Sequence, residues 1–249
     1  MDKITFWIFS DTHNNHSKLD VPKNVDIAIF AGDAGYSNSL ERNIIEVSDF
    51  LDWYKTVDIP HKVAIFGNHD VSTVHKVDVI KETYPEITFL NHEEYIHPLG
   101  FSMFGSPYSP MFMTNQWAYQ RNRSKMDKLW KDVPTNIDIL LTHCPPQGIL
   151  DMGVTWKEKG HSSVRMYTTS GDKALLRHVK EKKLKIHIFG HIHSIDNINN
   201  SGIYIHPELN TLFINASVVD YEYKLINSGI VLEVLDINTE NMYYKVLNN

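Results

Sequence analysis

Short apolar runs recur along this chain, and each stops abruptly at small or polar residues. Residues 4–9 run into Asp11-Thr12-His13, residues 25–31 into Gly32-Asp33, and residues 62–66 into Gly67-Asn68-His69-Asp70. Residues 137–142 lead to His143, and residues 186–189 lead to Gly190-His191-Ile192-His193. Runs this short and rich in Ile, Val and Phe predict buried strands. Between them lie segments of helical period. Leu40, Ile44, Val47, Leu51 and Tyr54 step by four, three, four and three, which draws one apolar stripe. Ser170-Gly171-Asp172 offers a helix start before Leu175, Leu176 and Val179, and residues 115–131 carry a weaker helical pattern. Strands alternating with helices predict an α/β fold with a mainly parallel sheet in the first two thirds of the chain. Residues 203–205, 212–214, 230–235 and 242–246 read as antiparallel strands joined by turns. No repeat and no linker-like change of composition interrupts the 249 residues, so residues 1–249 are expected to form one domain.

Composition narrows the class. With 24 basic against 30 acidic residues, net −6, the chain has no strong positive field to hold a nucleic-acid backbone. Its single cysteine, Cys144, has no partner for an internal disulfide and fits a reducing compartment. The apolar stretch at residues 4–9 is shorter than a signal core of about 7–15 residues. Nothing approaches the ~18 apolar residues of a membrane helix, so the expectation is a cytoplasmic protein without membrane contact. The 14 histidines change the picture most, because imidazole is the usual proton shuttle and transition-metal ligand near neutral pH.

The informative coincidence is that five predicted strands end at carboxylate, imidazole or amide side chains. In open α/β sheets, ligands bind in the crevice beyond the carboxyl ends of the strands. Five loops would therefore deliver Asp11, His13, Asp33, Asn68, His69, His143, His191 and His193 to one place. All are oxygen or nitrogen donors, a set suited to Mn, Zn or Fe and unlike a Cys-rich structural zinc site. Eight donors exceed what one ion takes from protein, and two ions sharing a carboxylate fit better. Any one of these elements alone reads as a turn or a solvated loop; their order, each after an apolar run, favours a metal site.

In this order, Asp11-Thr12-His13, Gly32-Asp33, Gly67-Asn68-His69-Asp70, Thr142-His143 and Gly190-His191-Ile192-His193 resemble the motif blocks of the calcineurin-like metallophosphoesterases. Residues 104–108, 143–148 and 213–217 further resemble a small branch that includes brain-expressed cyclic-nucleotide phosphodiesterases. The resemblance implies a four-layer α/β/β/α sandwich with mixed sheets and two divalent or mixed-valence transition-metal ions (Mn, Fe or Zn, with Mn most active in vitro). It places Asp11, His13, Asp33 and His193 on one ion and Asp33, Asn68, His143 and His191 on the other, with Asp33 bridging. His69 is implied to lie beside the substrate phosphate without binding metal, and Asp70 to orient its ring.

Four positive charges against those of Asp11 and Asp33 leave a local surplus of about two, which explains how an acidic chain can attract a phosphate. Water held between such ions loses a proton near neutral pH, and the hydroxide would attack phosphorus in line, opposite the leaving oxygen. His69 is the candidate general acid, worth about 10²–10⁴-fold. Asp70 is expected to fix the tautomer of His69, and the competing reading is that it caps the next helix. The leading expectation is a phosphodiesterase acting on small diesters such as cyclic nucleotides, with a nucleotide as the substrate partner and no nucleic acid. A phosphomonoesterase or protein phosphatase with the same core remains the alternative enzyme, and a non-catalytic interaction scaffold the alternative from another class. Cys144 lacks the neighbours of a nucleophile and reads as a packed residue. The basic run at residues 180–185 reads as a solvated helix end. Tyr108, Phe112, Trp117, Tyr119, Arg121, Arg123 and Lys125 fit either a base-stacking rim or packing over the sheet, and His161 is a candidate rim contact.

Overall fold

The computed structural model describes residues 3–112, 117–159 and 162–247. Among them, two six-stranded sheets lie face to face. The first contains β1 (Lys3–Phe9), β2 (Ile27–Ala31), β3 (His61–Ile65) and β4 (Thr88–Phe89) in parallel. The second contains β5 (Glu93–Ile96) and β6 (Ser102–Ser106), then, past the two-residue pair β7 (Ser109–Pro110) and β8 (Gln120–Arg121), β9 (Ile139–Thr142). A separate antiparallel hairpin, β10 (Met152–Lys159) and β11 (Ser162–Thr169), stands apart from both. The second sheet is completed by β12 (Ile186–Phe189), β13 (Gly202–Ile205) and β14 (Leu212–Asn215), and β15 (Ile230–Leu235) and β16 (Tyr243–Leu247) return to flank β1.

Alternation along the strands creates the layers. From one face, Phe6, Ile8, Ile27 and Ile29 meet Met103, Ile139, Leu141, Ile186, Ile188 and Ile214 of the opposite sheet. The other face of β1 and β2 presents Trp7, Phe9 and Phe30 to Val47, Phe50, Leu51 and Tyr54 of α1 (Leu40–Thr56), with Val77 of α2 (Val77–Thr83) in the same cluster. On the far side, Leu140, Phe189 and Phe213 pack against Met126 and Trp130 of α3 (Arg123–Trp130) and Leu175 and Val179 of α4 (Lys173–Lys182). The order is helix, sheet, sheet, helix.

Several expectations need correction. Leu40 and Ile44 are exposed, and the buried face of α1 is Asn43, Val47, Phe50, Leu51 and Tyr54. Asn43 takes that place because its amide donates to the carbonyls of Ser37 and His69 and accepts from the Ser72 N–H. The helix predicted over residues 115–131 is confined to Arg123–Trp130, begun by the Asn122 side chain accepting from Ser124 N–H, and residues 115–116 of the prediction lie outside the described residues. The predicted C-terminal antiparallel strands divide between the two sheets, and β14 runs parallel to β12. Asp172 does cap α4, accepting from the Ala174 N–H. The basic run is not wholly solvated: Lys182 reaches the Val133 carbonyl, and Lys185 bridges Asp138 and the Ile237 carbonyl.

Candidate metal centre

The carboxyl ends of β1, β2 and β3 in one sheet and of β9 and β12 in the other open onto the same edge. There the sheets are tied together, with Ser10 N–H donating to the Ala216 carbonyl and Val218 N–H to the Ser10 carbonyl. The loops turn back sharply. Asp11, His13, Asp33 and His191 all have positive φ, between 41° and 71°, a region non-glycine residues rarely adopt. Strain of this kind collects at functional sites, where surrounding structure holds it in place. Close approach then demands glycine. A Cβ on Gly67 would lie 2.2 Å from Asp33 Oδ1, and one on Gly190 2.2 Å from Asp11 Oδ2.

These turns bring every predicted donor into one cluster. His13 Nε2 lies 3.3 Å from His193 Nε2 and 4.0 Å from Asp11 Oδ1, and His193 Nε2 is 3.3 Å from Asp11 Oδ1. Asp33 Oδ1 accepts the His69 N–H, while Oδ2 lies 3.9 Å from His13 Nε2 and 3.2 Å from His143 Nε2. His143 Nε2 is also 3.0 Å from Asn68 Oδ1. Ligand atoms of Asp11, His13 and His193 lie within 4.8 Å of one another, as do those of Asp33, His143 and His191. Asp33 stands between the two groups.

The donor chemistry fits two cations. His13 Nδ1 is held at 2.8 Å by the Gly35 carbonyl and His143 Nδ1 at 2.9 Å by the Ala31 carbonyl, so each ring donates outward. The neutral tautomer that results turns a lone pair on Nε2 inward. Acceptors thus face acceptors in a buried space, an arrangement that needs a proton or a cation to hold it. Burial, then the charge of His69, lowers His13 to about 3, and burial, then His143, lowers His191 to about 3, which keeps both rings neutral. Burial works against charge on His143 too, yet Asp33 and its hydrogen bond raise that ring to about 9. A divalent ion would replace that proton. Burial raises Asp11 and Asp33, but the neighbouring histidines outweigh it and leave both lowered and ionised.

His69 and Asp70 sit as neighbours with different tasks. The ring of His69 packs 4.7 Å from that of His13 and 4.1 Å from that of Trp117, and its Nδ1 is 3.1 Å from the Tyr36 carbonyl. Asp70 does not orient this ring, contrary to expectation. Its carboxylate accepts the N–H groups of Asp33, Ala34, Gly35 and Gly67 at 2.8–3.0 Å, binding the β2 and β3 loops together. Nor does its side chain cap the short helical turn that follows. Burial and then the Asp33 charge raise Asp70 to about 7, while its backbone donors pull the other way.

A cleft of about 770 Å³ opens over the cluster, lined by Asp33, Asn68, His69, His191, His193 and residues of the β10–β11 hairpin among others. Tyr223, which sequence reasoning missed, packs its ring 4.8 Å from that of His13 and 5.4 Å from that of His193. It comes from an ordinary-looking turn far along the chain. The ambiguous aromatic stretch divides. Phe112 and Trp117 face the site, whereas Tyr119 is buried with its hydroxyl 2.7 Å from Thr73 Oγ1, and Tyr108 packs beneath Arg121 at 4.2 Å. Cys144 is buried and its thiol pushed up by that burial, as a packed residue should be. His161 lies outside the described residues.

Residues 4–194, which span all the donors, match the profile of the calcineurin-like phosphoesterases. The chain belongs to the calcineurin-like phosphoesterase family. It is 28% identical over 252 residues to Metallophosphoesterase domain-containing protein 1 of Homo sapiens, covering 92% of this chain and 70% of that protein. It is 26% identical over 251 residues to UPF0046 protein C25E10.12 of Caenorhabditis elegans, covering 94% and 82%. The crystal structure of TT1561 of Thermus thermophilus superimposes with a TM-score of 0.57 at 10% identity, over 98% of this chain and 99% of that one, a likeness of fold. Family membership implies phosphoester hydrolysis with divalent metal ions. No helix among the described residues is long and apolar enough to cross a membrane.

Proposed function

We propose that this chain is a dinuclear metal-dependent phosphodiesterase acting on small phosphodiesters, cyclic nucleotides among them, with residues 1–249 forming one catalytic domain. The observation that carries this reading is the inward-facing acceptor cluster centred on Asp33 Oδ2, 3.2 Å from His143 Nε2 and 3.9 Å from His13 Nε2. Asp11, His13, Asp33 and His193 would hold one ion and Asp33, Asn68, His143 and His191 the other, with Asp33 shared. Ions of the Mn, Fe or Zn type, when bound by these residues, would supply positive charge for the phosphoryl oxygens and lower the pKa of a water towards neutrality.

The remaining steps belong to side chains. The Tyr36 carbonyl takes the Nδ1–H of His69, so Nε2 is the nitrogen left free to face the leaving oxygen, and only the imidazolium form of the ring would have a proton there to give. The Tyr36 carbonyl fixes the orientation of the ring, the task expected of Asp70. Tyr223 walls the cluster from the side with its hydroxyl kept protonated, since burial raises it to about 12. A neutral phenol there adds no negative charge against an anionic substrate.

Purified protein should contain about two transition-metal ions per chain by mass spectrometry and cleave bis-p-nitrophenyl phosphate with added Mn²⁺. Asp33→Asn should weaken retention of both ions together. Protein that neither retains metal nor turns over under those conditions refutes the reading. Rates on cyclic nucleotides, nucleoside monophosphates and phosphopeptides separate diesterase from monoesterase action.

A further inference from the structure

Beside the metal cleft lies a second cleft of about 690 Å³. Ile195 and Tyr221 line both. Ile195 is two residues beyond His193 and Tyr221 two before Tyr223, so the wall shared by the two clefts lies within two residues of the metal cluster in the chain.

Its walls are unusual for a surface. Trp156, 59% exposed on β10, and Tyr221, 51% exposed, both line it. The Arg165 guanidinium lies 5.6 Å over the Tyr221 ring. The acids around it are already engaged. Asp196 is held by Arg165 at 3.1 Å and by the Tyr167 hydroxyl, Glu222 pairs with Lys224, and Asp220 Oδ1 accepts the N–H groups of Glu222 and Lys224. Three carboxylates against two cations leave a slightly negative rim, which repels a further phosphate but accepts a neutral ring. Exposed aromatic faces beside a phosphate centre are sequence-tolerant platforms for stacking bases.

Phe112, its ring 5.3 Å from that of His191, and Trp117, against His69, also stand at the cluster. Aromatic surface therefore meets the centre from this segment as well as from the second cleft. A cyclic nucleotide closes both ester bonds on one sugar and offers one base, whereas a linear diester carries an organic arm on each side of phosphorus.

We propose that the Trp156–Arg165–Tyr221 cleft binds the second arm of a linear phosphodiester, taking an uncharged aromatic group such as a nucleobase. The proposal rests on the phosphodiesterase reading and narrows its substrate to diesters with two arms.

Calorimetry on metal-loaded protein with a slowly hydrolysed phosphorothioate-linked diadenosine, and with AMP as the one-base probe, tests it. Wild type should bind the two-base probe more tightly than AMP. Trp156→Ala should weaken the two-base probe at least about fivefold, leave AMP within twofold, and be restored in large part by Trp156→Phe. Trp156 is exposed, so melting curves should match wild type. Equal binding of the two probes by wild type, or unchanged or equally weakened binding of both in Trp156→Ala, overturns the subsite. If Trp156→Ala behaves as expected but wild type cleaves no phosphodiester, the subsite stands and the catalytic reading falls.

Discussion

An imidazole becomes a dependable metal ligand when its far nitrogen is anchored, and here the anchors are carbonyls of the neighbouring loops. Gly35 holds His13 and Ala31 holds His143, so the end of β2 and the loop after it set the tautomers of the rings that follow β1 and β9. The contrast between His69 and Asp70 follows from the same accounting. His69→Ala should retain both metals and lose at least about tenfold in kcat. Unchanged kcat would remove His69 from the chemistry. Asp70→Asn should do the reverse. It leaves buried N–H groups short of an acceptor and places an amide donor among them, so stability should fall by about 3 kcal/mol or more, with loss of metal. Were Asp70→Asn instead to keep its metals and stability while losing turnover like His69→Ala, an orienting role would be restored.

At the level of elements, the site is made by where strands stop. Left-handed turns at Asp11, Asp33 and His191 fold these side chains back over the sheet edge, a backbone that Asp and His adopt more often than other non-glycine residues but that residue type alone announces only weakly. The glycines give part of the signal, since Gly67 and Gly190 sit where a side chain would strike Asp33 or Asp11. Helices contribute through their ends. Asp172 both caps α4 and accepts the buried Trp130 indole N–H at 2.6 Å, fastening α3 to α4. Loss of a cap costs about 1 kcal/mol and a buried unpaired donor about 1–3 kcal/mol, so Asp172→Ala should cost about 2–4 kcal/mol in urea denaturation. Its metal content should stay at the wild-type level, because no donor of the cluster contacts this side chain. The helix predicted over residues 115–131 forms only over Arg123–Trp130, because Gln120–Arg121 pair with Ser109–Pro110 as strand and Asn122 caps the start of the helix.

Across the whole molecule, burial also stores neutral histidines away from the cluster. His187 is wholly buried on β12 and lowered to about 3, its Nε2 2.9 Å from Thr142 Oγ1. His97 is lowered to about 4 by burial, then by His61. A histidine whose folded pKa lies below its ordinary 6.5 contributes full stability above that value and loses it as pH falls towards the folded pKa. Stability should therefore decline from about pH 6.5 downward, by about 1.4 kcal/mol per unit for each such ring. Measured by urea denaturation with chelator present, His187→Asn should reduce the loss between pH 7 and pH 5 by about 2 kcal/mol. An acid limb as steep as that of wild type would refute this assignment.

The order of short apolar runs and abrupt polar stops was enough to point to the residues that gather at the strand ends, because strand burial and side-chain chemistry are written in residue type and spacing. Helix α4 and its cap were legible for the same reason. Folding alone decided that the strands divide into two sheets, since a parallel run reads the same whichever neighbour it pairs with. It also decided that Tyr223, Tyr36 and Asn43 stand at the site and that Asp70 ties loops together. Contacts between residues far apart in the chain depend on how layers pack, and packing leaves no local trace in sequence.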